Sequence, residues 1–310
     1  MIIEDPKRAL RKLSQVGYYR LSGFWYPCRQ IHFNQSGNAF LSPVTGKPER
    51  LDSFLPDTSF NAVFNLYLFD KKLRQLMLDA IERIEVNMRS IIAEVLGYHD
   101  PLAYQKTSFI NPHQTVDFVD KNNVLRNIWK EWSDKQQEKL KQSREDYIVW
   151  HRKNNKPIPL WVVIETWDFG TMSKYFEILK RGYQNRICEK IDTPNPNTLK
   201  SWLYEINILR NRCAHHTRIW NQQFNSPLPV LSNPYFTKLQ LDEKARTRLF
   251  GMISVLWFLV KSIGQNSKWI FNAADVINSK PDLLGCPYSS MGLPDEDGFP
   301  IEKFQEHDII

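Results

Sequence analysis

Three polar residues in the second half of the chain combine a fixed positive charge, an amide and an imidazole at short spacing. Arg210 and Asn211 are adjacent, and His215 follows Asn211 by four residues. In an α-helix this spacing places Asn211 and His215 one turn apart on one face, and the long Arg210 side chain reaches that face from its flank. The segment therefore predicts that the three groups converge.

Those groups suit cleavage of RNA by attack of a 2′-hydroxyl on the adjacent phosphate. Such an attack needs a proton acceptor, a proton donor and a positive charge beside the transition state. Histidine can take either proton role near neutral pH, because its unperturbed pKa is about 6.5. Arginine offers a forked donor to phosphate oxygens. One helix supplies one well-placed histidine, so this chemistry predicts a homodimer with a shared site and needs neither metal nor cofactor.

The same residues also allow plainer interpretations. The spacing is short and common by chance, and a histidine near a helix end often only interacts with the helix dipole. A helix pair with Arg210 and His215 buried against each other would be purely structural. The doubled histidine leaves the register open, but His215 is favoured because His216 lies about 100° further round the helix. Arg218 is predicted on the same face as Asn211 and His215.

A carboxylate on an earlier predicted helix is a candidate supporting group. Glu85 interrupts an apolar stripe, and a buried carboxylate needs a partner. Arg89, one turn further on, is the local partner. The alternative is that Glu85 reaches Arg210 across a helix pair and holds its guanidinium in place.

A basic segment rich in tryptophan is the candidate RNA-binding region. Residues 121–156 carry ten Lys or Arg against five Asp or Glu, among aromatic residues that could stack on bases. Lys135, Lys139 and Lys141 are the predicted backbone contacts, and Arg20 is a further candidate near the N-terminus. The alternative is an ordinary solvated helix whose aromatic residues face the core.

These groups must be positioned by helices, because extended alternating patterns are almost absent. The class predicted is all-α, with one possible hairpin at about 34–47. Residues 160–179 are predicted to form two short helices, with Thr171 as the N-cap of the second. The tail after Asn278 is rich in proline and is predicted to be irregular. Longer segments with helical spacing of apolar residues are 60–96, about 115–150, 198–220 and 242–263.

Composition narrows the class of protein further. The net charge of +7 favours a polyanionic partner. The N-terminal residues lack a secretory pattern and the run 251–260 is too short to span a membrane, so a cytoplasmic protein is expected. The four cysteines are scattered, which argues against a zinc ribbon or a disulfide framework. Phosphate-binding loops, zinc helices and nucleophile elbows are missing from the sequence.

The segment RNRCAHHTRIWN at 210–221 resembles the RNxxAHxxRxWN signature of the Abi-like abortive-infection proteins of the AbiD/AbiF type, a branch of the HEPN superfamily. Further blocks resemble the family in the same order: YYRLSGFW at 18–25, LYLFD at 66–70 with Leu73 and Arg74, RIEV at 83–86 with Arg89, PLW at 159–161 with Glu165, FGTMS at 169–173 and MGLP at 291–294.

The resemblance implies a fold, a function and site residues. The expected fold is a HEPN-like helical bundle at 1–278 with additional helices, and an irregular tail at 279–310 packed on it. The implied function is antiphage defence by a toxin acting as a dimeric, metal-independent endoribonuclease, with Arg210, Asn211 and His215 at the motif positions. The alternative is a non-catalytic protein that holds a structured RNA.

Overall fold

The structure, a computed structural model, describes residues 1–304 of the 310-residue chain. Helices dominate these residues, so the prediction of an all-α fold is confirmed. The helices are α1 Pro6–Val16, α2 Tyr18–Trp25, α3 Phe60–Gly97, α4 Ile128–Gln142, α5 Asp146–Lys153, α6 Leu160–Val163, α7 Phe169–Ile178, α8 Arg181–Glu189, α9 Pro196–Ala214, α10 Pro234–Leu239, α11 Glu243–Arg246, α12 Leu249–Ile263 and α13 Trp269–Asn278.

Two small antiparallel strand pairs interrupt the helices. The strands are β1 Arg29–Ile31, β2 Arg50–Phe54, β3 Phe118–Val119 and β4 Leu125–Arg126. β1 pairs with β2, with Arg29 opposite Phe54, and β3 pairs with β4. The hairpin predicted at 34–47 lies between β1 and β2, where isolated bridges join Phe33 to Ala39 and Leu41 to Pro48.

Helix α3 is the centre of the fold. The Ser59 hydroxyl accepts a hydrogen bond from the Ala62 N–H at 3.1 Å and caps its start, and no glycine or proline interrupts it before Gly97. Its apolar residues recur at helical spacing and are buried, and α2, α6, α7, α8, α9, α12 and α13 all pack against it. The long helix predicted at 60–96 is therefore confirmed.

Two predicted helices are shorter in the structure than their apolar spacing suggested. The segment 115–150 forms β3, β4, α4 and α5, with a break at residues 143–145, so a single helix there was wrong. The segment 242–263 breaks between α11 and α12. A Cβ at Gly251 would lie 2.5 Å from the Ala245 carbonyl oxygen, so the two helices approach too closely for any larger residue.

The two short helices predicted at 160–179 are confirmed as α6 and α7, but the predicted cap was wrong. The carboxylate of Asp168, rather than the hydroxyl of Thr171, caps α7 by accepting the Thr171 N–H at 2.7 Å. The cap therefore precedes Phe169, and Thr171 lies inside the helix.

The end of the described chain packs on the bundle without forming a long helix. Leu283, Cys286, Met291 and Phe299 are buried, and the segment contains two short 3-10 turns. The irregular tail predicted at 279–310 is therefore seen up to residue 304, and its last six residues lie outside the described part. In residues 1–304 no helix combines the length and apolar character needed to cross a membrane.

A buried carboxylate ties α3 to the segment that follows α9. Asp70 is fully buried and pairs with Arg74, one turn further along α3. Its Oδ1 also accepts the backbone N–H groups of Ile219 at 2.9 Å and Trp220 at 2.8 Å. Burial raises the pKa of Asp70, and Arg74 and the two N–H donors oppose that rise. Asp70 thus holds the turn after α9 in place.

Candidate active site at the end of helix α9

Helix α9 ends at Ala214, so the prediction that it continues to about Trp220 was wrong. His215 is its C-cap, and the His215 N–H still donates to the Asn211 carbonyl at 2.9 Å. His216 adopts a left-handed conformation with φ of 57°, which stops the helix. Further on, Asp70 accepts the N–H groups of Ile219 and Trp220. Arg218 consequently does not share a helical face with Asn211.

The three predicted active-site residues lie at the protein surface. Arg210 is half-buried, and Asn211 and His215 are exposed. The Arg210 Nη1 donates to the Asn211 Oδ1 at 3.3 Å. Arg210 and Asn211 form part of the wall of a cleft of about 670 Å³, and His215 lies one turn beyond Asn211. The purely structural interpretation, with Arg210 and His215 closed inside the core, does not fit this exposure.

We call this cavity the α9 cleft. Helices α4, α7 and α9 form its walls, and both positive and negative side chains line it. The lining residues are Arg126, Ile128, Glu131, Trp132, Lys135, Gln136, Asp168, Phe169, Gly170, Thr171, Lys174, Asn207, Arg210 and Asn211. Glu131 is paired with Arg126, while Lys135 and Arg210 form no ion pair in the described part of the chain.

Asp168 links two walls of the α9 cleft. It caps α7 and accepts a hydrogen bond from the Lys139 ammonium of α4 at 2.6 Å. Burial alone would raise the pKa of Asp168, but the hydrogen bonds from Lys139 and Thr171 outweigh burial and lower the pKa to about 2. Lys139 also donates to the Thr171 hydroxyl at 3.1 Å. The carboxylate therefore fixes α4 against the start of α7.

The predicted RNA-binding lysines of α4 occupy different positions. Lys135 is exposed and lines the α9 cleft. Lys139 lies beside the cleft, but its charge is balanced by Asp168. Lys141 is exposed and does not line the cleft. Of the three, Lys135 is the one placed to meet a ligand together with Arg210.

The predicted supporting pair lies on α3, near enough to Arg210 to feel its charge. Glu85 and Arg89 form a partly buried ion pair along α3, and Arg89 also donates to the Trp167 carbonyl. Burial raises the pKa of Glu85, against the smaller opposing effects of Arg89 and then Arg210. The local pair is the observed contact, and the hypothesis of a direct Glu85–Arg210 contact was wrong. The charge of Arg210 affects the pKa of Glu85 through space, without a direct contact.

Sequence reasoning missed Gln136, on the wall of the α9 cleft. Its residue surface is 2% exposed, and neither amide atom has a hydrogen-bond partner in the described residues. A buried amide with an open donor and acceptor is rare and costs free energy unless a ligand or water satisfies it. Trp132, one turn earlier and also buried, donates to the Thr171 carbonyl at 3.2 Å. The sequence signal for Gln136 was its four-residue spacing from Trp132, which places both residues on one face of α4.

The remaining predicted site residues lie on another surface. The Arg20 Nη1 donates to the His216 carbonyl at 2.9 Å, and Arg218 donates to the Gly23 carbonyl. His216, Arg20 and Arg218 line a cavity that shares no residue with the α9 cleft. The structure thus separates adjacent histidines, because His216 lines the cavity beside α2 and His215 does not. Among residues 1–304, no three His, Cys, Asp or Glu side chains cluster closely enough to hold a metal ion.

Comparison with known proteins identifies a family for this sequence. A family model described as Abi-like protein matches residues 11–221, which is most of the chain. The match runs from α1 to the residue after Trp220 and therefore includes α3, the α9 cleft and the turn held by Asp70. No curated protein and no solved structure matches the chain. The chain belongs to the Abi-like protein family.

Proposed function

We propose that this protein acts in abortive infection as a metal-independent endoribonuclease of the HEPN type, of the AbiD/AbiF branch. Membership of the Abi-like family supports the abortive-infection role. The observation that carries the nuclease proposal is the position of Arg210 and Asn211 in the wall of an open cleft, with exposed His215 one turn away. The substrate is RNA, since the reaction requires a 2′-hydroxyl.

Each residue has a defined part in the proposed reaction. The 2′-oxygen attacks phosphorus, its proton passes to an imidazole, and the 5′-oxygen leaves with a proton from a second donor, which gives a 2′,3′-cyclic phosphate and a 5′-hydroxyl. His215 acts as one proton carrier. Arg210 stabilises the charge that develops on the phosphate oxygens. Asn211, which accepts a hydrogen bond from Arg210, orients that guanidinium or the RNA.

The second proton carrier is proposed to come from another copy of the chain. In residues 1–304 the lining of the α9 cleft includes no histidine, and His216 faces a different cavity. A homodimer that brings two α9 ends together would place two His215 imidazoles at one site. The same single imidazole favours the second candidate function, in which the protein holds a structured RNA without cutting it.

Digestion of total RNA in excess EDTA tests the nuclease proposal. The wild type should release fragments with 2′,3′-cyclic phosphate ends, and His215→Ala and Arg210→Ala should each lower the rate by about 10²-fold or more. His216→Asn tests the neighbouring histidine and should lower the rate far less than His215→Ala, because asparagine tolerates the left-handed conformation while removing the imidazole. Thermal unfolding should show that all variants fold.

Three results would contradict the proposal. Cleavage that stops in EDTA, cleavage unchanged in His215→Ala, or loss of activity in His216→Asn alone would each exclude the assigned residues. RNA binding without any cleavage by the wild type would favour the non-catalytic function instead. Sedimentation analysis tests the dimer, because a strictly monomeric active protein would exclude the shared site.

A further inference from the structure

A second surface beside the α9 end is far more positive than the α9 cleft. It consists of two adjoining cavities, of about 620 Å³ and 440 Å³, which share Arg218 and Gln222. We call it the basic groove, defined by its six cationic lining residues Arg20, Lys47, Arg50, Arg212, Arg218 and Arg248. None of its lining residues belongs to the α9 cleft.

No acidic residue lines the basic groove within residues 1–304. The α9 cleft, in contrast, contains Glu131 and Asp168. Nor does any of the six cations form an ion pair elsewhere in the described chain. The groove therefore concentrates cations that form no direct ion pair, and such a surface attracts polyanions.

The arginines of the basic groove are held in place by neutral acceptors. Arg50 donates to the carbonyls of Pro27 at 2.8 Å and Arg29 at 2.6 Å, and Arg248 donates to the Asn221 carbonyl at 3.0 Å. Arg20 and Arg218 likewise donate to the backbone carbonyls given above, and Arg212 donates to the Gln222 side chain.

Carbonyl and amide oxygens orient a guanidinium without neutralising its charge. Burial lowers the pKa of Arg218, against a smaller opposing effect of the buried Asp70, and it lowers the pKa of Arg248. An arrangement that positions several cations and leaves them unpaired is suited to an anionic ligand.

Two tyrosine side chains border the basic groove. Tyr19 is 90% exposed and lines the smaller cavity, and Tyr26 is 48% exposed and lines the larger one. The Arg50 guanidinium lies 5.8 Å from the centre of the Tyr26 ring. Exposed aromatic rings beside arginines provide stacking surfaces for unpaired bases, which a duplex cannot offer.

We propose that the basic groove binds single-stranded RNA, with phosphates on the arginines and bases on Tyr19 and Tyr26. The ligand is taken to be the RNA on which the proposed nuclease site acts, and in that respect the inference rests on the proposed function. Several cations spread over two adjoining cavities fit a chain of phosphates better than one small anion. The groove would then hold the strand that flanks the cleavage point.

Fluorescence anisotropy with an oligoribonucleotide of about 12 nucleotides tests the groove. The protein is the full chain carrying His215→Ala, in EDTA, so that cleavage does not affect the signal. The groove variant adds Tyr19→Ala, Arg20→Gln and Lys47→Gln, all at exposed positions. The control variant instead adds Arg8→Gln, Lys71→Gln and Tyr98→Ala, which remove the same residue types from exposed positions outside the groove.

The groove variant should bind single-stranded RNA about tenfold or more weakly, and the control should bind like its parent. The slope of log K against log salt should fall by about 1.4, because each phosphate contact to a single strand contributes about 0.7. Equal binding by the two variants would overturn the proposal. An equal loss of affinity for the same oligoribonucleotide annealed to its complement would also overturn it. Groove-dependent binding by a wild type that cuts no RNA would refute the nuclease and leave the groove standing.

Discussion

Replacing Asp70 by asparagine should destabilise the protein far more than the same change at an exposed site of the same helix. The amide would keep the size of the side chain and one acceptor oxygen. It would leave the buried Arg74 guanidinium without its anion and would weaken the bonds to the Ile219 and Trp220 N–H groups. Breaking a buried ion pair from one side costs about 3–5 kcal/mol.

A second ion pair on α3, which is exposed, provides the control for Asp70→Asn. Asp79 and Arg83 form an ion pair with the same four-residue spacing, but their side chains are 48% and 45% exposed, against 0% and 7% for Asp70 and Arg74. An exposed helix pair of this kind contributes about 0.3–0.5 kcal/mol. Asp79→Asn should therefore cost about 0.5 kcal/mol or less, although the sequence change is identical.

Urea unfolding followed by tryptophan fluorescence measures both changes. The midpoint should fall strongly for Asp70→Asn and little for Asp79→Asn, with the dependence of the unfolding free energy on urea unchanged. A loss below about 1 kcal/mol for Asp70→Asn would show that no anion is held there by Arg74 and the two N–H groups. Equal losses for the two variants would show that burial does not decide the cost.

Two further predictions concern the walls of the α9 cleft. Because the pKa of Asp168 is lowered to about 2 in the folded protein, its contribution to stability should be present above the unfolded value of 3.8 and lost as pH falls through about 2. After discounting for the partial exposure of Asp168, this contribution is about 1 kcal/mol. A difference in unfolding free energy between wild type and Asp168→Ala that stays constant down to pH 2 would contradict it. Lys135→Ala should weaken RNA binding measured by anisotropy and lower its salt slope by about 0.7, whereas Lys141→Ala, outside the cleft, should change neither; equal effects would exclude the cleft as the contact.

Local patterns of the sequence were enough to predict α3 and the body of α9. The apolar spacing along α3 and the four-residue spacing of Asn211 and His215 are properties of neighbouring residues, and the structure retains both. The Glu85–Arg89 pair, one turn apart on α3, was likewise within reach of sequence reasoning.

The end of α9 could not be predicted, because it depends on contacts between distant segments. Helical spacing continues through Arg218, but Asp70, 149 residues before Ile219 in the sequence, captures the backbone groups that a longer helix would use. The walls of the α9 cleft come from α4 and α7, and the basic groove combines residues from both ends of the chain. Such surfaces are set by packing, which a single sequence does not display.

The turn after α9 connects the two proposed RNA surfaces, and this gives Asp70 a role beyond stability. Arg210 and Asn211 lie in the wall of the α9 cleft, whereas Arg212 and Arg218, a few residues on, line the basic groove. RNA held in the groove would therefore need only to pass the exposed end of α9 to reach Arg210 and His215. Because the Asp70 carboxylate fixes the backbone immediately after Arg218, the relative position of groove and cleft depends on a residue that touches neither ligand.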